Sequence, residues 1–407
     1  MSDVARMESL GSRIIAVLNP FTMCAIIWAL VISTYLMDVS YSIDPQSVGL
    51  LIGVAVLSIA CFGAAYYITC KYIATTAKMN PLVDRVSPQK LRYFYVAALG
   101  LCLVIVIWNL FQSGLFPYMA AYGYKVKNYK QYGRFKGVLF PMLFIMCMLA
   151  SLEKKVLLRL SVQFFCLAVA WLYLSRAALF FIIVQFIGFI IASKNFKTVL
   201  HLVVTICVSS AFMFFSIGYL GKIRTGDAVF KRAMQIRSEY ASKSTSMLWC
   251  LSYISMPSAN LLSYIEKNEN FCWGRQLLNS SVPAPLKVDG WKKYAAQFRP
   301  NKRNTACTYL GLAYLDFGWT GIILVNILYG VIGAWLKVRC DQNYGIGYAA
   351  CYSVYMTALI LLFFSNMIFY FPIIFQVFAL AMISKYISVT APANASLAQD
   401  KAVLVNV

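Results

Sequence analysis

Acidic residues and histidine are scarce in this chain. Its 407 residues include 36 Lys and Arg but only 14 Asp and Glu, and a single histidine, His201. Charged residues of both signs make up 12% of the sequence while hydrophobic ones make up 61%, with a mean hydropathy of +0.70. That much apolar surface exceeds what a water-soluble core hides, so lipid is the expected solvent and the chain reads as a polytopic membrane protein. The apolar runs hold no carboxylate near their midpoints, which argues against a proton-coupled transporter. No C-x-x-C pair and no P-loop occur, and the twelve cysteines fall mostly inside apolar runs (Cys24, Cys61, Cys102, Cys147, Cys166, Cys207) without a histidine beside them. Zinc and nucleotide sites are therefore not expected, and the cysteines read as small packing residues. Cys250 and Cys272 share one polar segment, and their spacing leaves a disulfide open. The net charge of +22 comes without a zinc-finger, RRM or helix-turn-helix pattern. Anionic lipid and phosphate are better partners for it than nucleic acid.

Apolar runs at 19–37, 47–68, 93–113, 137–152, 157–174, 176–193, 198–220, 315–336, 346–365 and 369–388 predict ten transmembrane helices. Each is measured against a hydrocarbon core of ~30 Å at ~1.5 Å per residue, and the fourth to sixth are short for it. The first run has no small-residue cleavage site after it, so it reads as an anchor rather than a removable signal. The expected fold is thus all-α, with bundles at 1–220 and 307–388, a large loop at 221–306 between the seventh and eighth helices, and a tail at 389–407. The first loop carries Asp38 and Asp44 without Lys or Arg, while the second carries Lys71, Lys78, Arg85, Lys90 and Arg92. By the positive-inside rule the first loop lies outside. Alternation then sets Lys154, Lys155, Lys194, Lys197, Lys337 and Arg339 inside, both termini in the cytoplasm and the large loop outside.

Two regions combine basic charge with an outer position. Gly221–Ala306 holds fourteen Lys and Arg against five Asp and Glu. The stretch from Gly114 to Lys136 carries Lys125, Lys127, Lys130, Arg134 and Lys136 among Tyr118, Tyr122, Tyr124, Tyr129 and Tyr132, with no acid. Either one helix is miscounted there, or these cations and rings hold an anionic ligand and sugar rings. Arg176 falls midway through the apolar stretch from Val156 to Ser193, so Ser175–Arg176 marks a bend near the outer face. A guanidinium at that depth needs water or an anion, which gives it either a functional role or a snorkelling one. Lys222 and Arg224 follow the seventh run directly, at a spacing suited to clamping a lipid-linked phosphate or simply to solvated flanking charge. Asp316 stands at the entry to the eighth run, as a cap or as a carboxylate with a raised pKa. His201 lies near the inner end of the seventh run, away from any outer-face chemistry.

In order, Asn19-Pro20-Phe21 with Trp28 and Tyr35, Ser113-Gly-Leu-Phe-Pro117 with Tyr132-Gly133, Ser175-Arg176-Ala-Ala-Leu, Asn304-Thr305, and Asp316-Phe-Gly-Trp-Thr-Gly321 resemble the Wzy-type O-antigen (oligosaccharide repeat unit) polymerases of bacterial inner membranes. The resemblance covers most of the chain and rests on order and spacing. It departs from the family pattern in the lysine-rich loop from Gly114 and in lacking an arginine-glycine motif repeated in both outer loops. It implies a glycosyltransferase acting at the periplasmic face on undecaprenyl-pyrophosphate-linked oligosaccharides, without nucleotide sugar, metal or other cofactor, and with a separate chain-length-regulating co-polymerase as a partner. It further implies that Arg176 and Arg224 neutralise the departing pyrophosphate and marks Asp316, to which a role in orienting or deprotonating the acceptor hydroxyl is assigned. Lys222, Lys125, Lys127, Arg134, Arg299, Arg303, Asn304, Thr305 and Tyr309 are the expected substrate-binding residues. An O-antigen ligase shares the lipid donor but resembles proteins with an outer-loop histidine, which this chain lacks. A repeat-unit flippase is expected to have more spans and shorter loops.

Overall fold

The structure is a computed structural model that describes residues 19–76, 84–122, 135–193, 207–208, 211, 215–216, 219–220, 226–283, 286–288, 290–301, 303–342 and 345–390. Its α-helices are α1 (Pro20–Leu36), α2 (Val48–Thr76), α3 (Pro88–Ser113), α4 (Lys136–Leu149), α5 (Val156–Leu172), α6 (Arg176–Ala192), α7 (Asp227–Ala233), α8 (Thr245–Lys267), α9 (Arg275–Ser281), α10 (Gly290–Gln297), α11 (Gly311–Asp341), α12 (Ile346–Ile360) and α13 (Phe371–Ile387). The fold is all-α apart from one pair of short strands, β1 (Asp84–Val86) and β2 (Ser388–Thr390), antiparallel with Arg85 opposite Val389.

Nine of the ten expected runs form helices, and three of these, Pro45–Ile73, Pro88–Ser113 and Gly311–Asp341, are long and apolar enough to cross a membrane. The seventh run, 198–220, lies mostly outside the described residues. Local chemistry sets several boundaries. Ser87 accepts from Lys90 N and Pro88 fills the first turn, so α3 begins five residues before its apolar run. Asn19 and Pro20 start α1 in the same way. Gly318 breaks the geometry of α11 with φ 60°, a left-handed conformation, and a Cβ there would meet the Phe271 ring at 2.8 Å. Only glycine suits both constraints.

The helices run between two faces. On the sheet face, β1 pairs with β2, Ser87 N donates to Ile387 O, and Arg92 forms a two-pronged pair with Glu153 at 3.1 and 3.2 Å. On the opposite, cap face lie the first loop, the α5–α6 bend and the segment from 226 to 310. Ser40 bridges to Ile236, Arg237 meets Asp38 at 2.6 Å, and Ser47 Oγ donates to Glu266 at 2.7 Å. The first loop and the segment from 226 to 310 are therefore in contact on one face.

Between the faces one continuous core runs through α1 to α6 and α11 to α13 and includes Leu261, Leu262, Tyr264, Leu277 and Ala295 of the polar segment. Buried amides tie helices together inside it. Gln185 and Gln376 exchange hydrogen bonds at 3.1 and 2.5 Å, and Asn366 joins the Tyr329 hydroxyl to the Tyr309 carbonyl. Such links hold helices where apolar packing alone gives little preference between them.

Candidate functional site

The long polar segment is helical rather than a loop. Its main element, α8, starts at Ser244, whose side chain accepts from Met247 N. At ~1.5 Å per residue the 23 residues of α8 reach about 34 Å across the cap face, with Trp249 near the α5–α6 bend and Glu266 beside the start of α2. The first half of α8 buries one face, at Leu248, Trp249, Ser252, Ser255 and Met256, and from Ser255 to Tyr264 it is buried on all sides. A count of charge over the whole segment averages this buried helix away.

Arg176 is the first residue of α6. Leu174, buried with φ 48°, turns the chain at the bend, and Ser175 caps α6 by accepting from Ala178 N. The guanidinium carbon of Arg176 then sits 4.1 Å from the Trp249 ring centroid and 5.8 Å from that of Tyr253, and Nη2 donates to the Tyr253 hydroxyl at 3.4 Å. Trp249 is itself stacked between Phe230 at 3.9 Å and Tyr253 at 5.1 Å, and Tyr253 touches Phe364 at 5.4 Å. Each ring face contributes about 0.5–2 kcal/mol to a cation set over it, depending on desolvation. The guanidinium is half-buried and lies against these ring faces.

Asp316 is held by backbone N–H groups of another helix. It is fully buried, its Oδ1 accepts from Gln276 N at 2.9 Å and its Oδ2 from Leu277 N at 2.8 Å. The carboxylate caps the first turn of α9 from another helix, near the Gly318 break in α11. The same break leaves the carbonyls of Leu315 and Asp316 to accept from Cys272 N and Trp273 N.

Tyr309, expected at the substrate, is fully buried. Its ring packs on Trp28 and Tyr329 and its hydroxyl donates to Asn326 Oδ1, so it belongs to the core. Asn304 is buried too: its carbonyl accepts from Asn260 Nδ2 at 3.2 Å and its Oδ1 from Ala306 N, which fixes the turn that leaves Thr305 and Arg303 exposed. Arg299 is half-buried and donates through Nε to the Tyr264 hydroxyl at 3.1 Å. Burial pushes the Tyr264 hydroxyl up, keeping it neutral as an acceptor. These residues share the cap face with Arg176. Lys125, Lys127, Arg134, Lys222 and Arg224 lie outside the described residues.

Beside the bend, a cavity of about 340 Å³ opens between α4, α6 and the start of α13. Lys136, Ser175 and Lys287 line it together with Phe140, Phe144 and Phe181. In the sequence Lys136 and Lys287 are loop charges 151 residues apart; only the fold places both on one cavity. Among the described residues no three His, Cys, Asp or Glu converge as a metal site. Cys250 and Cys272 are both free thiols, so the disulfide left open by their spacing is not formed. No protein-family model, curated protein or solved structure matches the chain.

Proposed function

We propose that the protein joins undecaprenyl-pyrophosphate-linked oligosaccharide repeat units into O-antigen polysaccharide, as the Wzy-type polymerases it resembles do. The cap face would be periplasmic and both termini cytoplasmic, in the inner membrane. The observation that carries the reading is the position of Arg176: the residue marked by the resemblance sits at a helix bend, held on the rings of α8, on the face that bears the basic segment.

In the transfer, a hydroxyl of the incoming unit's non-reducing sugar forms a bond to the anomeric carbon of the growing glycan. The bond from that carbon to the pyrophosphate oxygen breaks, the lipid pyrophosphate leaves with the electron pair, and the hydroxyl proton is released. Negative charge grows on the leaving group, where a fixed guanidinium lowers the barrier; loss of one such group costs about 10²–10³ in rate. Arg224 is assigned the same task from the end of the seventh run, with Lys222, Lys125, Lys127, Arg134, Arg299, Arg303 and Thr305 as cations and polar contacts along the glycan. Asn304 orders that turn. Asp316 contributes by holding α9 rather than by taking a proton. A co-polymerase that sets chain length is the expected protein partner.

The test is the lipopolysaccharide ladder of the host. Arg176→Ala and Arg224→Ala should each give single-unit lipopolysaccharide at normal membrane levels of protein. A normal ladder from both would remove these residues from the mechanism. In a deletion strain, loss of all units, single ones included, would favour ligase or flippase instead. Labelling that reached residues 226–306 from the cytoplasm alone would reverse the assigned orientation and end the proposal.

A further inference from the structure

The cavity beside the bend combines two chemistries. It is lined by the rings of Phe140 and Phe144 of α4 and Phe181 of α6, and by Lys136, Ser175 and Lys287. Lys136 stands at the start of α4 with its ammonium 5.8 Å from the Tyr173 ring. Lys287 comes from the opposite side, on the segment after α9, and that segment is braced. Asn279 clasps Val288 through both amide atoms, accepting from its N at 2.9 Å and donating to its O at 3.4 Å. Ser280 and Ser281 tie α9 to the Phe369 carbonyl at 2.8 and 3.2 Å, and Asp316 fixes its first turn. The second lysine is thus placed before any ligand arrives, which lowers the ordering cost of binding.

α9 and the residues on either side of it, Lys287 among them, also present apolar side chains outward. Leu286 is 68% exposed, Val288 58%, Leu278 66% and Trp273 78%. Trp273 sits 6.4 Å from Phe317, at the start of the long apolar helix α11. Apolar and aromatic residues exposed at that level, with lysine among them, fit the boundary between hydrocarbon and headgroups. Such a boundary is also the depth at which a lipid phosphate lies. A volume of about 340 Å³ accommodates a head and the first few carbons of a chain. Ile373 on its wall also lines a larger apolar groove of about 790 Å³ between α11, α12 and α13, which gives the chain a continuation.

We propose that this cavity binds the phosphate-bearing head of a membrane amphiphile on Lys136 and Lys287, at a site separate from Arg176. The two sites occupy different sides of one helical turn: Ala177 and Ala178 line the cavity while Arg176 lies on Trp249. The assignment is independent of the polymerase reading, since it follows from cavity, charge and depth alone.

Equilibrium binding of radiolabelled geranylgeranyl phosphate to the full chain in detergent micelles tests it. Saturable binding is expected, weakened about tenfold or more in Lys136→Gln/Lys287→Gln as two charge-assisted contacts are lost. Gly137→Leu keeps both charges but drives the Phe371 ring, 3.4 Å from the glycine's Cβ position, into the cavity, and should lose binding similarly. Size-exclusion profile and melting temperature identify any variant that fails to fold. Neither geranylgeraniol nor inorganic phosphate alone should displace the probe. Displacement by phosphatidylglycerol would support the site with an ordinary lipid headgroup as ligand, and its failure would support it with a prenyl phosphate. Wild-type affinity in both folded variants, or displacement by inorganic phosphate, would overturn the proposal.

Discussion

Two arginines at opposite faces of the bundle are held in opposite ways. On the sheet face, Arg92 is met by both oxygens of Glu153, a buried carboxylate that also accepts from Lys155 N. On the cap face, Arg176 rests on the rings of Trp249 and Tyr253. A carboxylate neutralises the cation it fixes, whereas a ring quadrupole fixes it and leaves the net charge in place. Arg237 combines the two, with Asp38 at 2.6 Å and the Tyr41 ring at 5.1 Å, and serves as a strap between the first loop and the α7–α8 region. The three arginines thus show three modes of holding: a carboxylate at Arg92, ring faces at Arg176, and both at Arg237.

Four substitutions break or sharpen this contrast. The largest effect is expected from Trp249→Ala, which removes a buried ring between Phe230 and Arg176 and should destabilise the protein by about 3–5 kcal/mol. A drop in melting temperature no larger than that of Glu153→Gln would mean the rings do not hold the cap face. Next, Asp316→Ala leaves two buried N–H groups of α9 without acceptors and should cost about 3 kcal/mol. If its melting point matched the wild type, the cross-helix cap would be incidental. Third comes the interior amide pair: Gln376→Leu strands Gln185 and should cost about 1–2 kcal/mol, while Gln185→Leu/Gln376→Leu recovers most of that. A double variant less stable than the single would show that the pair contributes more than mutual satisfaction.

The smallest effect belongs to Glu153→Gln. The Arg92 hydrogen bonds hold the Glu153 carboxyl below its ordinary value of 4.5. A depressed folded value means that the charged pair contributes fully above about pH 4.5 and that its contribution fades as pH falls through the folded value. Melting temperatures of wild type and Glu153→Gln should therefore differ modestly at neutral pH and converge in acid. A gap that widened on acidification would contradict the sign of the shift.

The sequence made the bundle legible because apolar length is a one-dimensional signal. The helices at Pro20–Leu36, Arg176–Ala192 and Phe371–Ile387 match their apolar runs within two residues at each end. Where polar caps set the ends, as at Ser87–Pro88, the apolar run began too late to show the true start. Arg176 was legible as a cation at a bend, since any guanidinium there needs an explanation. Its partners were not, because Trp249 and Tyr253 lie more than 70 residues away on a helix hidden by charge averaging. Asp316 and Tyr309 stood out by residue type, yet a carboxylate and a phenol serve caps and cores as readily as substrates, and only the partners decide. The meeting of Lys136 with Lys287 depends on how α9 is braced, which no local pattern encodes.

Because Arg176 and Ala177 are adjacent on α6, their side chains point about 100° apart around its axis. Transposing the two residues would swing the guanidinium off the indole and into the lysine-rimmed cavity without altering composition or charge. The opening turn of α6 thus works like a rotary selector, in which one step of register decides which of two neighbouring compartments receives the arginine.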